Sequence, residues 1–104
     1  MQEQLVFRAI SDPTRRSIMA MLSDGERSLN DITANYEMTR PAVAKHLKIL
    51  ERGGLISVRS QGRERLHRLQ PDALKTVADW VNFFSQFWDE KLENLKQAVE
   101  MDDE

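Results

Sequence analysis

The sequence predicts a mainly α fold with one small β-hairpin, and three observations predict it. Apolar residues recur at intervals of three and four through residues 2–22, 28–36, 39–54 and 71–101, the spacing that lines one face of a helix. The period changes to two only over residues 55–69, the alternation of a half-buried strand pair. Helix-start and helix-stop residues, from Asp12-Pro13 to Gly53-Gly54 and Pro71, fall at the boundaries between these stretches.

A chain of 104 residues, 40 % of them apolar, fits one domain with a modest core. Its full span, 1–104, reads as a core over 1–70 followed by a long helix over 71–101. No apolar run approaches the ~18 residues that cross a bilayer, so no membrane partner is expected and a cytoplasmic location is the default. The sequence has no cysteine, which excludes disulfides, thiolate metal sites and a cysteine nucleophile.

The formal net charge of −2 conceals a segregation. Residues 1–39 carry four Lys/Arg against six Asp/Glu, residues 40–68 eight against two, and residues 69–104 three against nine. The middle third is therefore +6 between acidic flanks, and a concentrated positive field is what phosphate binding needs.

Residues 2–10 form a short helix with Leu5, Val6, Ala9 and Ile10 along an apolar edge. Asp12 as N-cap and Pro13 at the first helical position restart the helix, which runs with Ile18, Met21 and Leu22 inward until Asp24-Gly25. Arg15 and Arg16 near its start are candidates for DNA backbone or for acidic neighbours. Ser28 and Asp31 make a capping box for a short helix ending near Asn35-Tyr36, with Leu29, Ile32 and Tyr36 toward the core.

A tight turn leads to the best-marked element of the chain, the helix from Thr39 to Gly53. Thr39 is its N-cap, Pro41 sits in its first turn where a missing N–H costs nothing, and Gly53-Gly54 supply a left-handed stop. Val43, Leu47 and Leu50 form a buried stripe, whereas Arg40, Lys45, His46, Lys48 and Arg52 lie elsewhere on the cylinder. The small tip made by Thr39, Pro41 and Ala42 lets the N-terminal end approach a duplex closely, with its N–H groups toward phosphate. Two helices joined by so short a turn, the second basic, spell helix-turn-helix.

Strands over 55–60 and 64–69 follow, with Gln61-Gly62-Arg63 as the hairpin tip. Ile56, Val58 and Leu66 supply the apolar side, with His67 or Leu69, and Arg59, Arg63, Arg65 and Arg68 decorate the rest. Packed beside the helix-turn-helix, this ribbon becomes a wing along backbone or minor groove. Pro71 opens the last element, an uninterrupted helix to about residue 101. Five aromatics (Trp80, Phe83, Phe84, Phe87 and Trp88) lie within nine residues of it, more apolar surface than one small domain covers. That surface predicts a second copy of the chain, with Leu5, Val6, Trp80, Val81, Phe84, Phe87, Trp88, Leu92 and Leu95 between the two.

The segments Phe7–Arg16, Thr39–Leu50 and Gly53–Ile56, with Gly62-Arg63 in the wing, resemble the ArsR family of bacterial winged-helix repressors over nearly the whole chain. The resemblance implies a winged helix-turn-helix with a long C-terminal dimerisation helix. It also implies a homodimer on double-stranded operator DNA, blocking transcription and in some members controlling its own gene. Thr39, Arg40, Pro41, Ala42, Lys45, His46, Lys48, Arg59, Gln61, Arg63 and Arg65 are the candidate DNA contacts. Of these, Arg40, Lys45 and His46 are assigned to the bases, and Lys48, Arg59, Gln61, Arg63 and Arg65 to phosphate.

Two departures from the family pattern stand out. Glu37 occupies the turn position where such motifs often carry glycine, so the turn is shaped differently or Glu37 is left-handed. The metal-sensing cysteines, and the Asp/His/Glu sets of the last helix, are missing. The only histidines, His46 and His67, are far apart in sequence, so no metal or cofactor is expected and the effector is unknown. Asp89, Glu90 and Glu93 read as a solvated helix face, so no catalytic residue is assigned. The competing reading is a protein-interaction module, which does not require the basic residues of helix and wing to form one surface.

Overall fold

Asp12 and Pro13 act where the sequence places them. In a computed structural model, which describes residues 2–102, helix α1 (Gln2–Ile10) gives way to α2 (Pro13–Leu22) at a tight corner. The Asp12 carboxylate caps α2 by accepting the Arg15 N–H at 3.1 Å. The inward stripe of α2 is Ile18, Met19 and Leu22, with Met21 at its margin.

A two-residue strand, β1 (Arg27–Ser28), precedes α3 (Leu29–Thr33), and the Ser28 hydroxyl accepts the Asp31 N–H at 3.1 Å as the capping box predicts. The helix is shorter than its pattern suggests, because residues 34–39 continue as turns. Among the described residues no non-glycine has a positive φ, so Glu37 is not left-handed and the turn has a different shape from a glycine-containing one. Helix α4 (Arg40–Arg52) then starts on Thr39, whose hydroxyl accepts the Ala42 N–H at 3.2 Å. Gly53 still has helical geometry, at φ −77°, and Gly54 alone, at φ 73°, supplies the left-handed stop. Gly53 meets another constraint: a Cβ there would lie 3.1 Å from the Leu5 carbonyl oxygen, so α1 crosses directly over the end of α4.

Strands β2 (Ile56–Gln61) and β3 (Glu64–Leu69) pair antiparallel around a Gly62-Arg63 turn, with Gly62 at φ 62°. Gln61 belongs to the strand and not to the tip. The predicted hairpin is in fact a three-stranded sheet of order β1-β3-β2, since Arg27 and Ser28 pair with His67 and Leu66. Register settles which residues face inward. Ile56 pairs Leu69 and Val58 pairs His67, whereas Leu66 pairs Arg59 and takes the outer face. His67 is buried, and Leu66 is not the inward residue its hydrophobicity suggested.

One core of eleven side chains joins these elements, running from Val6 and Ala9 through Ile18, Met19, Leu22 and Ile32 to Val43, Leu47, Leu50, Leu55 and Ile56. The C-terminal element departs from the single helix predicted over 71–101. It comprises a 3-10 turn (Pro71–Leu74), α5 (Lys75–Phe83) and α6 (Ser85–Asp102), with a break at Phe84, at φ −94° and ψ −2°. Ala73, Leu74 and Val77 pack on the core, but from Trp80 onward most apolar side chains are exposed. α6 thereby projects from the body, and the molecule measures 69 × 30 × 21 Å.

Candidate nucleic-acid interface

Helix α4 has two faces because its residues follow one another at about 100° around the axis. Val43, Leu47 and Leu50 are fully buried, and Arg40, Pro41, Ala44, Lys45, Lys48, Glu51 and Arg52 are all exposed on one continuous arc. The small side chains of Pro41 and Ala44 lie in that arc between the cations, so nothing bulky stands off an approaching surface.

His46 does not join the arc. It lies on the opposite flank with its side chain 20 % accessible, where Nδ1 is 3.1 Å from Arg15 Nη1 and 4.0 Å from the Asp12 carboxylate. Its assignment as a base contact is corrected by this position, since the helical step that exposes Lys45 turns His46 toward α2. Of the two readings open for Arg15, DNA backbone or an acidic neighbour, the structure places it beside Asp12 and away from the exposed arc. It is buried, and it donates from Nε to the Ala9 carbonyl at 2.7 Å and from Nη2 to the Arg8 carbonyl at 3.0 Å, so it closes the end of α1 instead of meeting phosphate. Burial works to raise the Asp12 carboxyl, but its bond from the Arg15 N–H and the Arg15 charge hold it below the ordinary carboxylate value. Arg16 remains exposed and donates to the Ile10 carbonyl at 2.7 Å.

The wing meets α4 along a groove of about 300 Å³, with Ala44, Leu47, Lys48 and Glu51 on the helix side and Val58, Arg65 and His67 on the sheet side. Lys48 and Arg65 therefore belong to one surface. Alternation along the strands sends Arg59 and Gln61 to the other face of the sheet, and Arg63 caps the tip. Arg59 is not a free cation: its Nε and Nη2 donate to the two Glu26 carboxylate oxygens at 2.8 and 3.0 Å, reaching across β3 over Leu66. The bond from Arg59 holds the Glu26 carboxyl below its usual range, and Arg59 is raised in turn. The sequence gives no hint of this pair, because Glu26 lies in a loop 33 residues away.

His67 donates from Nδ1 to the Arg27 carbonyl at 3.3 Å, and burial is the main cause that holds its imidazole below the ordinary value. The predicted reading of His67 as a packed strand residue holds.

The apolar residues assigned to a second copy divide in the same way. Val6 is 2 % exposed inside its own core, so it leaves the set; periodicity alone could not tell which of Leu5 and Val6 faces in. Leu5, Trp80, Val81, Phe87, Trp88, Leu92 and Leu95 are exposed, and Phe84 is half-buried. Phe7, which the pattern did not single out, packs edge-on against Trp80 with centroids 5.7 Å apart and joins α1 to α5. Trp80, Val81, Phe84, Phe87 and Trp88 line an open groove of about 640 Å³, rimmed by Glu90, Lys91 and Asn94.

Residues 12–58, from the cap of α2 through β2, match the model of the bacterial regulatory proteins of the arsR family. The chain is 34 % identical over 82 residues to the transcriptional repressor SdpR of Bacillus subtilis (strain 168), a match covering 78 % of this chain and 91 % of that protein. The chain belongs to the ArsR family. The fold of this ArsR-family chain is similar to the solved ArsR-like transcriptional regulator from Rhodococcus sp. RHA1, with a TM-score of 0.76 at 31 % identity over 95 % of this chain and 91 % of that one. It is also similar to the homodimeric winged helix-turn-helix DNA-binding domain Mb0332 from Mycobacterium bovis, with a TM-score of 0.63 at 28 % identity, covering 89 % and 83 %. It is a transcriptional regulator with a winged helix-turn-helix DNA-binding domain, not an enzyme. The family match ends within the wing, so the aromatic stretch of α5 and α6 lies beyond it.

Proposed function

We propose that this ArsR-family chain is a homodimeric repressor that binds an inverted-repeat operator. The observation that carries the reading is the shared groove of Lys48 on α4 and Arg65 on the wing, which joins helix and ribbon into one basic surface. A protein-interaction module would not need that union.

In this reading the N-terminal end of α4 enters the major groove, and Arg40 and Lys45 reach base edges while Thr39, Pro41 and Ala42 allow the close approach. Lys48, Arg63 and Arg65 hold phosphate on either side of the helix, with Gln61 and Arg59 on the outer face of the wing. Two copies place two such helices in successive major grooves about 34 Å apart. The dimer forms through α1, α5 and α6, using Leu5, Trp80, Val81, Phe84, Phe87, Trp88, Leu92 and Leu95. The exposure of all of these but the half-buried Phe84 in one chain supports this, as does the homodimeric state of the Mycobacterium bovis relative. An operator overlapping a promoter gives repression by occlusion, and the chain's own promoter is the first candidate. Such a protein works in the cytoplasm. The division of labour is a DNA-binding core over 1–70 and a dimerising C-terminal element over 71–101.

The test is fluorescence anisotropy of the purified protein on DNA from upstream of its own gene, across a salt series, with random DNA as competitor. Neutralising roughly 6–10 phosphates per dimer lowers affinity by about 10³–10⁵-fold between 50 and 200 mM salt. Tight, competitor-resistant binding with that slope is the expected result; weak binding equal on both DNAs at every salt would sink autoregulation by this promoter.

A further inference from the structure

Asn30 lies in the first turn of α3 and Arg40 opens α4, so the two meet across the turn of the helix-turn-helix. Arg40 Nη1 donates to Asn30 Oδ1 at 2.6 Å, a short, charge-assisted hydrogen bond. Neither side chain serves the core. Both are exposed, and α3 is held in place by the Ser28 cap and by Ile32, which is fully buried.

A free arginine on a surface samples many rotamers, and freezing it on a base costs that freedom. A protein group that already holds one guanidinium nitrogen removes part of the cost and fixes the plane of the fork. With Nη1 engaged, the Nε–Nη2 edge makes no other hydrogen bond among the described residues. That edge offers two parallel donors, the pattern that matches O6 and N7 of guanine in the major groove. Lys45 and Lys48, by contrast, are point charges on flexible stems, exposed and without a side-chain hydrogen bond or ion pair among the described residues.

We infer that Asn30 is a positioning residue for sequence readout: it holds Arg40 so that the Nε–Nη2 edge reads a guanine at one fixed position in each half-site. The inference rests on the proposed repressor reading, in which this end of α4 enters the major groove. Asn30 acts through Arg40, so its removal changes which bases are chosen and not how strongly DNA in general is held.

The experiment is selection from a library of duplexes with a randomised centre, using the full chain and its Asn30→Ala, Asn30→Asp, Arg40→Ala and Arg40→Lys variants, with melting curves to confirm folding. The wild type is expected to enrich a symmetric motif containing a guanine that both Arg40 variants no longer select. Asn30→Ala loses preference at that same position by on the order of tenfold, with the other positions and the salt slope unchanged. Asn30→Asp keeps the acceptor oxygen and retains the guanine. A guanine preference undiminished in Asn30→Ala would overturn the inference, as would a uniform loss at every position. A wild-type motif indifferent to both Arg40 variants overturns it while leaving the repressor reading standing, and enrichment of no sequence by the wild type overturns both.

Discussion

Arg15 joins the end of α1 to α4: one guanidinium holds the carbonyls of Arg8 and Ala9 and reaches His46 Nδ1 at 3.1 Å. Because Arg15 can only donate, His46 Nδ1 is the acceptor and its proton sits on Nε2. Helix α4 is thus fastened to the corner between α1 and α2 by a buried cation, not by packing alone.

Arg15→Met keeps much of the side-chain volume but leaves these acceptors without their donor. Hydrogen bonds to charged groups are worth about 1.5–3 kcal/mol each, so a loss of about 3 kcal/mol of unfolding free energy in urea is expected. His46→Ala should cost about 1 kcal/mol. It should also leave DNA affinity close to wild type, whereas Lys45→Ala weakens it; anisotropy on one duplex at fixed salt separates the two.

Arg63→Glu reverses the charge at the tip of the wing, away from the core and from the aromatic surface of α5 and α6. DNA binding at physiological salt is expected to disappear while the sedimentation mass stays that of the wild type. Binding retained at that salt would remove the wing from the interface.

In the proposed complex Glu26 would compete with phosphate for Arg59. Glu26→Gln frees the guanidinium, so affinity for any duplex should rise, and the slope of log K against log salt should steepen by about 0.9 for each additional phosphate held. An unchanged slope would mean that Arg59 faces away from DNA with or without its partner.

Trp88→Glu and Leu92→Glu place charge on the exposed side of α6 without touching the core. Each should shift the species in sedimentation toward the 12.1 kDa monomer while far-ultraviolet circular dichroism keeps its helical signal. A dimer surviving both changes would relocate the contact.

His67 carries a pH term. Its folded imidazole lies below the ordinary 6.5, so the unfolded chain binds a proton that the native chain does not. The associated stability is fully present above pH 6.5, is lost as pH falls through the lowered native value, and levels off beneath it. His67→Gln should flatten the slope of unfolding free energy as pH falls below 6.5 relative to wild type.

Elements with local signals were legible in the sequence. The three caps at Asp12, Ser28 and Thr39 lie where their residue types demand, and the buried stripe of α4 is the predicted Val43, Leu47 and Leu50. What escaped was set by distant partners. β1 is two residues long and exists only because β3 lies beside it, and the Glu26–Arg59 pair has no periodicity to betray it. His46 looked basic and available, but α2 packs over its side of α4. The break at Phe84 occurs in a run without glycine or proline, where spacing rules give no warning.

The bare backbone at Gly53 turns the crossing of α1 over α4 into a gauge. With no side chain between them, α1 passes so close that a Cβ at Gly53 would lie 3.1 Å from the Leu5 carbonyl oxygen, and α1 would have to give by a few tenths of an ångström to admit it. Even a methyl group there would act as a shim. It would shift the helix that carries Leu5 and Phe7 relative to the helix that carries Arg40 and Lys48, and in the proposed dimer the distance between the two copies of α4 would change with it.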